Sequence, residues 1–309
     1  MVTTSFVIPA YNEGPRLKEG FARLAPTLDE LGTDDVEVII IDDGSTDDTL
    51  REAHVAYGHL ANLRVVKHER NLGKGAALRL GLALATGTNV ITADADMAIN
   101  PHHSVEVLAA LSRVDLAPGT RSVDGHIRYD QRLRTWAGAL FNRLARHYTG
   151  TYLRDTQCGF KGFRLAPARL LAMMSIVEGF AFDLEVLYLA DRLALSVEPQ
   201  LVTWQDIQGS SVRMGRDSWQ MLSDMRAIRR THYENPVVTL APDVAIGDVI
   251  AAASGARLRG LVLGRGAQDA LVVFPRQGAL GAVDFARAFD ASLGTATLGD
   301  LRGRRLEAI

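Results

Sequence analysis

Short apolar runs and longer helical stretches alternate along the first third of the chain. Phe6-Val7-Ile8 reads as a buried strand, and from Arg16 to Leu31 apolar residues recur at helical spacing. Val36 to Ile41 is a dense β-branched run that predicts a second strand, followed by Asp42-Asp43-Gly44-Ser45 as a turn. Helix is expected again over Thr46–Tyr57, strand over Leu63–Val66, helix over Lys74–Thr86 and buried strand over Asn89–Ala93. Strands alternating with helices predict an α/β domain whose mainly parallel sheet is covered on both faces. Beyond Asp155 the alternation loosens and helices dominate, notably Ala166–Met174 and Phe182–Leu195. A compositional shift near Asn235-Pro236 separates a domain spanning 1–234 from a small C-terminal α/β unit spanning 235–309. In that unit strands are expected at Val237–Leu240, Leu258–Leu263 and Ala270–Phe274, and helices at Ile246–Ala253 and Ala282–Phe289, with no recognisable chemical motif.

The 309 residues can bury one large core plus a small satellite. Hydrophobic residues at 47% and charged residues at 23% are ordinary for a globular protein, and a net charge of −2 gives no reason to expect a nucleic-acid partner. A single cysteine, Cys158, excludes an internal disulfide framework or a cysteine zinc site and fits a reducing compartment. The first residues lack a basic segment and meet a proline within a few positions, so no signal peptide is expected. No window reaches the roughly 18–20 apolar residues that span a bilayer, so any membrane contact is expected to be peripheral.

Four segments lie at the ends of predicted strands, where open α/β sheets bind ligands. The first is Pro9-Ala10-Tyr11-Asn12-Glu13, whose polar residues could equally cap the next helix. The second is Asp42-Asp43-Gly44-Ser45-Thr46-Asp47; a carboxylate there can accept hydrogen bonds from a nucleobase N–H or ribose hydroxyls, while Ser45 or Thr46 could be an N-cap. The third, Arg70-Asn71-Leu72-Gly73-Lys74-Gly75, places small residues before a helix N-terminus, which favours anions. The fourth is Asp94-Ala95-Asp96. Strand residues two apart point to the same side, so both carboxylates could converge on one hard cation, Mg2+ or Mn2+, shared with substrate phosphates.

In order and spacing these segments resemble glycosyltransferase family 2, whose catalytic domain has the GT-A nucleotide-diphospho-sugar transferase fold. The resemblance implies that Pro9, Tyr11, Glu13 and Asp43 hold the nucleoside, and that Asp94 and Asp96 reach the ribose and the metal bridging the diphosphate. Lys74 or Lys161 could add positive charge there, a solvated lysine being the plain alternative. Further on, Asp155-Thr156-Gln157-Cys158-Gly159-Phe160-Lys161, then Phe180-Ala181-Phe182-Asp183-Leu184-Glu185, then Trp204-Gln205-Asp206-Ile207-Gln208-Gly209-Ser210-Ser211 closely resemble the dolichyl-phosphate β-glucosyltransferases and their prokaryotic polyprenyl-phosphate relatives. The resemblance covers about residues 3 to 232. It implies a hexose donor, UDP-glucose, a polyprenyl-phosphate acceptor and a site on the cytoplasmic face of a membrane. Ala98 stands where the related mannose synthases usually have a metal-binding Gln, which favours the glucosyl branch over a GDP-mannose user; Met97 replaces a glycine common in that branch.

A lipid acceptor needs a surface to meet it. From Arg132 to Tyr148 the residues Leu133, Trp136, Ala137, Leu140, Phe141, Leu144 and Tyr148 fall on one helical stripe, with Arg132, Arg143 and Arg146 largely outside it. That pattern suits a membrane interface, or equally a helix packed on its own core. Arg121, Arg132 and Arg134 are candidates for the lipid phosphate, because a guanidinium matches phosphate oxygens bidentately; surface roles would explain them as well. Gln157 and Lys161 belong to the same expected acceptor loop.

The expected reaction is an inverting displacement in which acceptor oxygen attacks the anomeric carbon as nucleoside diphosphate leaves. Asp183 occupies the place that the resemblance assigns to the catalytic carboxylate, with Asp96 beside the metal. A hydroxyl acceptor would need Asp183 as general base, whereas a phosphate monoester, with a second pKa of about 6, is already largely ionised. His102-His103 is expected to face solvent, and Cys158 to pack rather than react. The rivals are a same-fold transferase acting on a soluble hydroxyl acceptor, and a nucleotide-sugar-binding module without turnover.

Overall fold

The computed structural model describes residues 2–122, 153, 155–193, 195–205, 216–229, 261–264 and 270–273. In chain order the main elements are β1 (Thr4–Ala10), α1 (Gly14–Leu31), β2 (Val36–Asp42), α2 (Thr49–Tyr57), β3 (Leu63–Lys67), α3 (Lys74–Leu84), β4 (Asn89–Thr92), α4 (Ser104–Leu111) and β5 (Leu116–Ser122). They continue with β6 (Lys161–Arg164), α5 (Leu165–Met174), α6 (Phe182–Arg192), β7 (Gln200–Thr203) and α7 (Arg216–Arg229), then β8 (Leu261–Gly264) and β9 (Ala270–Val273).

Seven strands form one sheet in the order β3-β2-β1-β4-β6-β5-β7. The β1 to β4 pairings are parallel; β6 runs antiparallel to both β4 and β5, and β7 is parallel to β5. The central strands are buried on both faces, which is why they read as unbroken apolar runs. Alternation along them sorts the core into two layers. Phe6, Ile8, Val38 and Ile40 face one way and meet Leu17, Leu24 and Leu28 of α1, a stripe at helical spacing. Val7, Ile39 and Ile41 face the other way and pack with Ala77, Leu78 and Leu82 of α3 and with the buried residues of α5 and α6.

This doubly covered sheet is the expected α/β architecture. Helix and strand ends differ from expectation by up to three residues: α2 starts at Thr49 and not Thr46, α6 ends at Arg192 and not Leu195, and β8 starts at Leu261 and not Leu258. Three strands, β5, β6 and β7, were not legible as strands. In the C-terminal part, β8 and β9 form a separate two-stranded antiparallel sheet close to the expected strands. Expected elements at Val237–Leu240, Ile246–Ala253 and Ala282–Phe289, the Arg132–Tyr148 stripe with Arg132 and Arg134, and Asp206–Ser211 lie outside the described residues. Among the described residues no helix is long and apolar enough to cross a membrane.

Candidate active site

The carboxyl ends of β1, β2 and β4 share one sheet edge. The antiparallel sense of β6 brings its first residue there too, because Thr92 is in register with Lys161. The loops leaving that edge are tied to one another. Asn12 takes a left-handed conformation, φ 53°, its N–H donates to Ser45 Oγ, and its side chain accepts from the Thr46 N–H. Glu13 N–H donates to Thr49 Oγ1 at 2.8 Å. Ser45 and Thr46 thus bind the neighbouring loop and do not cap α2.

Asp43 organises the next junction. Its buried carboxylate accepts the N–H groups of Leu72 at 2.9 Å and Gly73 at 2.7 Å, and lies 2.7 Å from His68 Nδ1. The residue expected to hold a nucleoside is therefore committed inside the protein. Beside it Asp42 accepts the Ser45 N–H with one oxygen, while its buried Oδ2 has no hydrogen-bond partner among the described residues and lies 3.5 Å from Lys67 Nζ. Pro9 is half-buried and Tyr11 is exposed at the same edge.

The Asp94-Ala95-Asp96 segment is a turn, not a strand end: β4 stops at Thr92, and Met97, at φ 47°, donates its N–H to Asp94 O at 2.9 Å. The two carboxylates nevertheless share one electrostatic field. Burial and then the Asp94 charge push the Asp96 carboxyl up, with partial relief from the Ala98 N–H, Arg16 and Lys74. Burial likewise pushes Glu13 up against the pull of Arg16, whose Nη1 lies 2.8 and 2.9 Å from its two carboxylate oxygens, and Asp96 and Asp94 add to the rise. Asp94 itself is pushed up by its surroundings, but Lys74, Lys161 and Arg121 outweigh this and hold it below the usual carboxylate range.

Neither expected lysine is solvated. Lys74 opens α3 and places Nζ 2.7 Å from Asp94 Oδ1 and 3.5 Å from Asp183 Oδ2. It can do so because Gly75 lets α3 dock on the loop before α6: a Cβ there would lie 2.5 Å from Val177 O and 2.8 Å from Phe182 Cβ. Lys161 is 2% exposed and donates to Asp183 Oδ1 at 2.6 Å and to Cys158 O. So buried an ammonium is paired inside the protein, with Asp183 in the first turn of α6. Gly159 is needed for the same convergence, since a Cβ on it would stand 2.7 Å from Asp94 Oδ2.

Arg121 is also committed. Its guanidinium grips Asp155 at 2.7 and 2.8 Å, so two of the donors expected for a lipid phosphate already have an anion. Gln157 donates its N–H to Asp155 Oδ1 and points its amide at Met221 Sδ, 3.9 Å away. Cys158 is buried, and burial pushes its thiol up to about 11, as expected of a packing residue. His102 faces solvent beside Glu30, but His103 does not: its Nε2 accepts the Thr203 N–H at 3.0 Å. The sequence reading missed Arg16 and His68. The three-residue spacing from Glu13 into a helix could have flagged Arg16; nothing local marks His68.

That sheet edge belongs to a nucleotide-sugar glycosyltransferase of the GT-A fold, as the family and the relatives show. Residues 5–170 match the model of glycosyl transferase family 2, and the chain belongs to that family. It is 33% identical over 239 residues to a dolichyl-phosphate β-glucosyltransferase of Dictyostelium discoideum, covering 73% of each chain. It is 36% identical over 241 residues to the Drosophila melanogaster enzyme of that name, covering 69% of this chain and 72% of the relative. A crystal structure of glucosyl-3-phosphoglycerate synthase from Mycobacterium tuberculosis in complex with Mg2+ and uridine diphosphate has the same fold. Its TM-score is 0.56 at 22% identity, covering 74% of this chain and 79% of that one.

Proposed function

We propose that the protein transfers glucose, with inversion, from UDP-glucose to a polyprenyl phosphate of the dolichyl type. The observation that carries this reading is the shared lysine: Lys74 touches both Asp94 and Asp183, so the donor carboxylates and the carboxylate expected to face the acceptor line one site. The identity with dolichyl-phosphate β-glucosyltransferases supports the choice of sugar and acceptor.

The residues fit a divalent cation. Asp94, its side chain 44% exposed, and Asp96 stand on one turn at the sheet edge, and two carboxylates suit Mg2+ or Mn2+, which take remaining ligands from water and substrate phosphates. When bound, the cation would neutralise charge growing on the departing diphosphate. The chain's own groups do the rest. Asp42 and Asp43 are both buried and shape the donor edge by holding its loops, Asp42 through the Ser45 N–H and Asp43 through those of Leu72 and Gly73. Lys74 stays protonated at any ordinary pH, because Asp94 and Asp183 outweigh its burial, and it lies ready for phosphate oxygens. Asp183, held by Lys161, orients an acceptor that arrives already ionised.

The proposed setting is the cytoplasmic surface of a membrane, touched peripherally by residues 132–148, with residues 235–309 as a separate unit. The test is a donor panel offered short polyprenyl phosphates, with release of nucleoside diphosphate as readout. UDP-glucose with Mg2+ or Mn2+ should give the highest turnover. Preference for GDP-mannose, or turnover only on soluble hydroxyl acceptors, sinks the proposal.

A further inference from the structure

Lys74 stands in an unusual relation to the acidic turn. Its ammonium lies 2.7 Å from Asp94 Oδ1, yet only 18% of its side chain is exposed against 44% for Asp94. The carboxylate that faces the cleft is thus neutralised from behind by a shielded, tethered charge. Among the described residues the neighbouring Asp96 has no such cation within ion-pair distance: it accepts the Ala98 N–H at 3.0 Å, and the Asp94 charge works against it. The walls around Lys74 are close. Gly159 passes near enough that a Cβ there would stand 3.0 Å from Nζ, and the second anion within reach is Asp183 Oδ2 at 3.5 Å.

We propose that Lys74 is a resident counter-ion of Asp94 that a divalent cation must displace, and that a nucleoside diphosphate makes the displacement favourable by taking the freed ammonium onto its phosphate oxygens. This rests on the donor reading above and adds a rule for loading the site. A cation arriving alone competes with a tethered positive charge for Asp94 and leaves Lys74 with Asp183 only. A cation arriving with a diphosphate leaves every charge matched. Binding of the two ligands is therefore positively coupled, and the coupling is reciprocal. Lys74 keeps the empty site electrically balanced and keeps free cations from occupying it unproductively.

The experiment is calorimetric titration of the full chain with Mn2+, alone and in the presence of UDP or of uridine. In the wild type UDP should tighten Mn2+ binding by about tenfold or more, within the usual range of site–site coupling, and uridine should not. Lys74→Met should bind Mn2+ alone about tenfold more tightly than the wild type and lose most of the enhancement by UDP. Lys74→Arg keeps the charge and should bind Mn2+ alone as weakly as the wild type. If Lys74→Met binds Mn2+ alone no more tightly while UDP still tightens it, the counter-ion role is overturned and the donor reading stands. If Lys74→Met does not fold, the wild type decides: equal tightening by uridine and UDP overturns the role. Failure of the wild type to bind UDP with Mn2+ overturns the donor reading itself, and this inference with it.

Discussion

Gly159→Ala isolates the geometry of the site from the stability of the fold. The added Cβ would stand 2.7 Å from Asp94 Oδ2, about 0.7 Å short of the 3.4 Å at which ordinary contact begins, and 3.0 Å from both Asp94 Oδ1 and Lys74 Nζ, about 0.4 Å short of it. All three atoms are the far ends of flexible side chains, so they will move and the backbone will not. The folding cost should stay under about 1 kcal/mol, a fall in Tm of less than about 4 °C. The chemical cost should be larger, because Asp94 is turned from the cleft and its contact with Lys74 is stretched. Misplacement of a positioned group by about 1 Å can cost on the order of a hundredfold, so kcat/KM should drop about tenfold to a hundredfold. Nucleoside diphosphate release measures the rate, and a thermal melt measures the fold. Activity within twofold of the wild type would refute the reasoning. So would a fall in Tm beyond about 10 °C, which would make Gly159 a packing residue.

With a phosphate acceptor, Asp183→Asn should retain more turnover than Asp96→Ala, since an ionised acceptor needs orientation more than deprotonation; equal collapse in the same assay counts against these roles. Lys161→Met should take from the Asp183 carboxylate, 6% exposed, its closer cation while Lys74 stays at 3.5 Å, and cost about 1.5–3 kcal/mol in urea unfolding. A loss below about 1 kcal/mol would show that the pair is not structural. Burial pushes the Asp155 carboxyl up, but Arg121 and the N–H groups of Arg121 and Gln157 outweigh it and hold it below the usual range. A folded pKa below the unfolded one, about 3.9, contributes stability above that value and loses it as pH falls through the folded pKa. Asp155→Asn should therefore lower stability at pH 7 and flatten its decline in acid; an unchanged acid limb in pH-dependent unfolding would contradict this.

The apolar runs at Phe6–Ile8, Val36–Ile41 and Asn89–Ala93 determined the central strands, because a strand buried on both faces must be apolar along its length. The acidic and small residues that end those runs followed directly, and the fold's ligand-binding edge was legible from them. Strand β6 was not. It is four residues long and begins with Lys161, and only its pairing with β4 and β5 makes a strand of it. The partners of the charges were equally illegible. Lys161 meets Asp183 across 22 positions and Arg121 meets Asp155 across 34, while Asp43 serves the Leu72-Gly73 turn across about 30. Local sequence reports periodicity, which depends on near neighbours. Charge pairing depends on sheet register and on where helices dock, so only the tertiary structure could decide that Lys74 stands between the two carboxylate sites.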